Sequence, residues 1–488
     1  MTLAHRAVRG AAFVLASSYA NMAMGIVYGI IIARLLDPAH FGIFALALFF
    51  FTLFDVRSKL GLEYAFVHRQ PTTDELFATH FTLQIAAAAV TLVLVTLIGA
   101  IIAQSNYPAA TAPIMLALAG AMAIEALGTA ARAALEKELV FARSTVVVTG
   151  ALFLSYIAAI VLAFAGFTYW ALVGQVALNA AIGSLGFWWA YRRVTHGMRF
   201  HFRFDRDIAR WMLRFGAVMS LGAIATALLL QFDNFLVGTF VGAAALGFYA
   251  LAYKVAQWPT GLVTHIVARV SLPTYAKLQG DPPRLAKAFE MSLWLILTVA
   301  LPLALALFVA APDFLILLYT EKWLPSAILL RFLVGYAVLR PLLDDTGVLF
   351  TAIGKPERIT TVLVVQASVL IMVGTPLTLA LSAIGTAIAV GLAFVVGIAL
   401  TYRFVARTIP IDLLRVFAPP VIAGIASVAL YFVFTQAVDL SALPLFIRVI
   451  VKGGVAVGLY GAIVVLMERR AFFERVAYVA RLLGSNAA

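Results

Sequence analysis

The chain has 488 residues, 64% hydrophobic and only 12% charged, against roughly 45–50% and about 25% in soluble domains; its mean hydropathy is +1.03. A soluble enzyme is excluded because the apolar residues fall in runs of about 18–25, and an outer-membrane barrel because stretches such as 85–102 and 362–380 have no period of two. The lack of cysteine removes disulfides, thiolate nucleophiles and cysteine-ligated zinc. In a polytopic chain the net charge of +13 first reports which loops stay in the cytoplasm.

Hydrophobic runs between polar breaks predict about fourteen transmembrane helices, over 11–33, 41–62, 79–103, 112–134, 145–165, 168–190, 211–238, 243–272, 288–310, 324–343, 359–380, 384–402, 417–436 and 446–467. The first run is too long for the apolar region of a signal peptide. The connections 105–111, 166–168, 239–242 and 381–383 carry no basic residue. On the other face fall Arg69, Lys137, Arg143, Lys277, Arg284, Lys287, Lys355, Arg358, Arg403, Arg407 and Arg415, together with the arginine-rich segment 191–214; only Arg34 and Lys322 oppose them. This asymmetry predicts a multi-pass membrane protein with both termini cytoplasmic. The segment 191–214 interleaves arginine with His201, Phe202, Phe204 and Trp211, and reads as a membrane-surface connector rather than a nucleic-acid patch.

The two halves resemble each other. At an offset of 205, Ala39, Gly42, Ala45, Leu46 and Ala47 fall on Ala244, Gly247, Ala250, Leu251 and Ala252, and Arg9 falls on Arg214. A second match, at an offset of 218, sets Val146 and Val147 on Val364 and Val365. The expected architecture is an all-α polytopic membrane protein: two six-helix lobes related by a pseudo-two-fold axis along the membrane normal, plus two extra C-terminal helices. The lobes are assigned to 1–195 and 196–410, and the last two spans and a tail to 411–488.

The segment Ile31-Ile32-Ala33-Arg34-Leu35-Leu36-Asp37-Pro38-Ala39-His40-Phe41-Gly42 resembles the first hairpin of the multidrug/oligosaccharidyl-lipid/polysaccharide exporter superfamily. In the second half, Phe232-Asp233-Asn234-Phe235-Leu236-Val237-Gly238, the run from Leu246 to Lys254, Leu272-Pro273 and Glu321-Lys322-Trp323 resemble its polysaccharide branch, more narrowly the colanic- and teichuronic-acid exporter group of Wzx-type flippases. The resemblance implies alternating-access transport of an undecaprenyl-diphosphate-linked oligosaccharide across the inner membrane, for exopolysaccharide, capsule or O-antigen synthesis, with a polymerase and other assembly proteins as further partners. It implies no cofactor and no catalysis; the driving force it leaves open is H+, Na+ or the membrane potential. A cation-coupled multidrug exporter of the same superfamily is the alternative. The cavity-lining arginines that the lipid II flippase branch carries in its first span are not matched here, where Asn21 and Tyr28 stand in the membrane portion and Arg34 at the outer end.

Charges inside spans are costly and mark candidate sites. Lys254 is about eleven residues into its span, roughly 16 Å at 1.5 Å per residue, and Trp258, His265 and Arg269 follow within about 60° on one continuous helix. Together they are expected to lead a diphosphate inward, the alternative being that Lys254 pairs with Asp233 and the others snorkel. Arg331 has no acid nearby in sequence and is a further anion candidate, as is Arg57, which projects away from the Asp55, Lys59, Glu63 ladder. Arg340 and Asp344 are expected to neutralise each other. Glu125 and Asp233 are candidates for ion coupling or for ion pairs in the cleft. No acid–histidine set at metal spacing and no phosphate-binding glycine loop is present.

Overall fold

The computed structural model describes residues 3–55, 60–194 and 204–485. In chain order the helices are α1 (Leu3–Leu35), α2 (Pro38–Phe54), α3 (Leu62–His68), α4 (Asp74–Ala103), α5 (Thr111–Lys137), α6 (Phe141–Phe164), α7 (Thr168–Arg192) and α8 (Arg206–Phe240). They continue with α9 (Ala243–Ala256), α10 (Trp258–Leu278), α11 (Pro282–Tyr319), a 3-10 turn (Glu321–Trp323), α12 (Ser326–Leu333), α13 (Tyr336–Ala352), α14 (Glu357–Ala406), α15 (Leu413–Ala437) and α16 (Leu445–Ser485). No strand occurs among the described residues. A chain in hydrocarbon must satisfy its own backbone, and helices do so within each segment.

Eleven helical stretches among the described residues are long and apolar enough to cross a membrane, and α2 is shorter, at 17 residues. One of the eleven is a hairpin. A straight 50-residue α14 would hold Arg358 and Phe404 roughly 70 Å apart, yet Arg358 Nη1 donates to the Phe404 carbonyl at 3.2 Å. The reversal falls at Ser382, with φ 57° and ψ −145°. Beside it the Thr378 and Thr386 hydroxyls meet at 2.7 Å. The predicted span 243–272 is divided into α9 and α10 at Gln257, which itself keeps helical dihedrals. Pro259 lacks an N–H and its ring crowds the carbonyl four residues back.

The end of the second predicted span is corrected. Instead of running to 62, α2 stops at Phe54, Asp55 is extended, and α3 starts after Gly61 at φ 58°. Asp55 and Glu63 therefore do not share a helix, and Arg57 and Lys59 lie outside the described residues. Helix starts carry their own caps. Thr73 Oγ1 accepts from the Leu76 N–H, and the carboxylates of Asp205, Asp281 and Asp412 accept from the N–H groups of Ile208, Arg284 and Arg415; each cap contributes about 1 kcal/mol.

The chain divides into two compact units, Met1–Gly247 and Phe248–Ala488. In the first unit, α5 buries Ala126, Ala130, Ala131, Ala133 and Ala134. Gly128 lies so close to Ser184 of α7 that a Cβ there would collide with the Ser184 backbone. Ser184 Oγ and Trp188 Nε1 donate across this contact to the carbonyls of Ile124 and Leu127 at 2.8 and 2.7 Å. Apolar lipid offers helices no hydrophobic drive to associate, so close approach through small residues and interhelical hydrogen bonds takes its place. Long apolar side chains such as Leu185 and Phe164 point outward instead, 73% and 72% exposed.

A second close approach in this unit joins the starts of α2 and α9. A Cβ on Gly42 would strike the Ala243 carbonyl, and a Cβ on Gly247 would strike the Pro38 carbonyl. At the offset of 205, Pro38 matches Ala243 and Gly42 matches Gly247, so the two repeat segments touch reciprocally, as a local two-fold axis requires.

In the second unit the core joins α11 (Phe289, Leu293, Leu297), α13 (Leu342, Leu349, Phe350) and α14 (Tyr402, Val405). The last two spans pack on α11 through Ala423 and Tyr460 against Leu305, and through Tyr431 and Ala456 against Val309.

Candidate functional site

Lys254 occupies the last turn of α9, three residues before the division at Gln257. Its side chain is exposed, and no hydrogen bond or ion pair joins its ammonium to any described residue. An unpaired cation about eleven residues into a span is expensive unless water or an anionic ligand reaches it.

Next to it, Tyr253 meets the ring of Tyr336 on α13 at 5.1 Å and that of Tyr249 at 6.0 Å. Tyr336 in turn lies edge-on to Phe394 at 5.0 Å. One turn further along α13, Arg340 Nε pairs with Asp344 Oδ1 at 2.9 Å, as the i,i+4 spacing predicted. The second unit thus presents tyrosine rings, a neutralised arginine and a free lysine on α9 and α13. Rings and hydroxyls suit the faces and hydroxyl groups of sugars, and the ammonium suits a phosphate.

Trp258 opens α10 and packs edge-on to Phe314 at 6.0 Å; Gln257 before it keeps helical dihedrals, φ −80° and ψ −15°. The side chains of His265 and Arg269 lie outside the described ones. Arg331 lies apart from the lysine's own neighbours: on α12 its Nε donates to the Phe308 carbonyl at 3.2 Å, and its guanidinium covers the Phe308 ring at 5.8 Å.

In the first unit, Glu125 is within electrostatic reach of Arg132, two turns on, as is Glu63. Arg132 also binds Glu136 at 2.9 Å. Asp233 is buried, with the Asn234 N–H on its Oδ1 at 2.8 Å.

Two polar clusters escaped sequence reasoning. Asp345 is buried and accepts from the Tyr275 hydroxyl at 3.2 and 3.0 Å, close to Ser271 and Ser292, whose hydroxyls lie 3.4 Å apart. Its signal was available: adjacent Asp344 and Asp345 point about 100° apart on a helix, so only one of them can serve Arg340. The other cluster joins Asp313 to Arg448 and Lys452 across 135 and 139 residues, with no local sequence signal. Among the described residues no group of three histidine, aspartate or glutamate side chains is placed to hold a metal.

Known proteins agree with this architecture. The lipopolysaccharide biosynthesis protein WzxC of Escherichia coli (strain K12) is 26% identical over 353 residues, 72% of this chain and 71% of its own. A structure of the lipid II flippase MurJ in an inward closed conformation superposes with a TM-score of 0.75 at 13% identity, over 94% of this chain and 99% of that one. An inward-facing multidrug-resistance MATE transporter gives 0.63 at 17% identity, over 80% and 95%. At those identities the structural likeness shows the fold, that of the multidrug/oligosaccharidyl-lipid/polysaccharide exporter superfamily. Residues 31–328 match the family described as polysaccharide biosynthesis protein, more than half of the chain, and to that family this multi-pass membrane protein belongs.

Proposed function

We propose that the protein is a flippase that carries an undecaprenyl-diphosphate-linked oligosaccharide across the bacterial inner membrane by alternating access, with both termini in the cytoplasm. Neither a diphosphate nor a sugar crosses hydrocarbon unaided, because polar groups left unpaired there cost several kcal/mol each. The observation that carries this reading is Lys254, an exposed cation near mid-span with no partner among the described residues, following directly in the chain on Tyr253, which meets Tyr336. Lys254 takes the diphosphate and the tyrosines bracket the sugars. His265, Arg269 and Trp258 continue the path on α10, with Arg57 as a further contact. Arg331 is kept as a phosphate ligand, at the place described below. Glu125 and Asp233 are the acids for coupling to H+ or Na+, with the membrane potential acting on the net charge moved. The reading makes the protein a transporter rather than an enzyme, supplying a polymerase with substrate.

Disrupting the gene tests this. Lipid-linked repeat units should accumulate unpolymerised, with surface polysaccharide lost and drug susceptibility unchanged. The second reading, a cation-coupled drug exporter, is favoured by one feature of the first unit: an apolar cavity of about 440 Å³ lined by aromatic residues including Phe49, Phe50, Phe54, Phe232 and Phe235. Under that reading polymer output stays normal and susceptibility to cationic drugs rises.

A further inference from the structure

A cavity of about 340 Å³ in the second unit is lined by residues of α11, α12, α15, α16 and the 438–441 connection, among them Arg331, Arg448 and Lys452. Its volume lies within the roughly 300–1,000 Å³ of ligand pockets. Arg448 Nη1 and Lys452 Nζ both bind the buried carboxylate of Asp313. Arg448 Nη2 also donates to the carbonyls of Ser441 and Leu443 at 2.7 and 3.1 Å, whereas its Nε is buried without an acceptor.

Arg331 makes no ion pair with any described acid. Only its Nε is used, on the Phe308 carbonyl, so both terminal amino groups remain free to donate among the described residues. At the rim, Asp439 is fully exposed and already accepts from the Ser441 N–H and hydroxyl, which hold its carboxyl below the usual range. The lining thus holds three cations and the Asp439 carboxylate, with Asp313 paired to two of the cations, which leaves one positive charge in excess.

Besides Tyr431, Thr435 and Ser441, the rest of the lining is apolar: Phe308, Val309, Phe432, Val438 and Leu440. Phe432 and Val438 are 49% and 40% exposed, and nearby Val433, Phe446 and Ile450 are more than half exposed. In a spanning protein such side chains face acyl chains. The cationic part lies where α15 ends at Ala437 and α16 begins at Leu445, the level of lipid headgroups.

We propose that this cavity binds the phosphate headgroup of a lipid, with the Arg331 fork as its principal ligand and the acyl chains lying along Phe432 and Val438. Arg suits the role because its planar donors match phosphate oxygens two at a time. The site is separate from the lysine of the proposed transport path, and its test needs no transport, so the two readings fail independently.

The full-length protein in detergent is titrated with dioleoyl phosphatidic acid, with dioleoylglycerol and with inorganic phosphate, and bound molecules are counted by native mass spectrometry. Phosphatidic acid should bind, and inorganic phosphate and dioleoylglycerol should each be at least about tenfold weaker. Arg331→Gln should weaken phosphatidic acid about tenfold or more, and Arg331→Lys by less. Should Arg331→Gln fail to fold for want of the Phe308 contact, Thr435→Glu, which puts a carboxylate into the same cavity, should abolish binding. Undiminished binding by Arg331→Gln or by Thr435→Glu overturns the site, and inorganic phosphate binding as tightly as the lipid overturns its assignment to a lipid.

Discussion

Four cations of the second unit stand in different circumstances, and those decide what their removal does. Arg340 has Asp344, Arg448 shares Asp313 with Lys452, and Lys254 has no partner among the described residues. Lys254→Ala therefore breaks no ion pair, and it should insert normally while polymer export falls at least about tenfold; Lys254→Arg should retain part of the export. Surface polysaccharide and membrane abundance, measured together, check this, and Asp233→Ala should not rescue the alanine variant. Asp313→Asn is the opposite case. It leaves two part-buried cations uncompensated and should destabilise the protein by up to about 3 kcal/mol, seen as a lower unfolding temperature in detergent. Sequence made Lys254 legible because a lone charge interrupts an apolar run, and made Arg340–Asp344 legible because their spacing is local. Asp313 stayed hidden because its partners are more than a hundred residues away.

At the scale of helices, two backbone features carry the sharpest constraints. Gly42 and Gly247 each face a carbonyl of the other segment, and a backbone cannot swing aside as a side chain can. Gly42→Ala and Gly247→Ala should each destabilise by about 1–3 kcal/mol, and by similar amounts because the contact is reciprocal; thermal unfolding of the two variants checks it. Ser382 holds φ 57° and ψ −145°, a region that only glycine occupies freely, at a cost of about 1–3 kcal/mol. Ser382→Gly should accordingly raise the unfolding temperature. The turn at 381–383 was readable as a polar break between apolar runs, and the chain reverses there at Ser382. The end of α2 was not readable, because apolar Leu60 and Leu62 extend the hydropathic run while the backbone turns at Gly61. The division between α9 and α10 at Gln257 was not drawn from hydropathy, although Pro259 announces it by removing a backbone N–H.

For the molecule as a whole, loop charge fixes the expected orientation, and reporter fusions test it: one after Arg199 should report cytoplasm and one at Asn106 periplasm. An inverted result would turn the transport direction with it. The class of fold was readable because fourteen apolar runs and a repeated hairpin are global features of composition. The first unit, Met1–Gly247, includes the start of α9. The contact at Gly42 and Gly247 has a mechanical meaning. Interlocked leucines act like gear teeth, and moving them requires side chains to climb out of their sockets. Two bare backbones in contact have no teeth, so the starts of α2 and α9 form a plain bearing, able to roll by small angles without repacking, and a single methyl group on either surface would jam it.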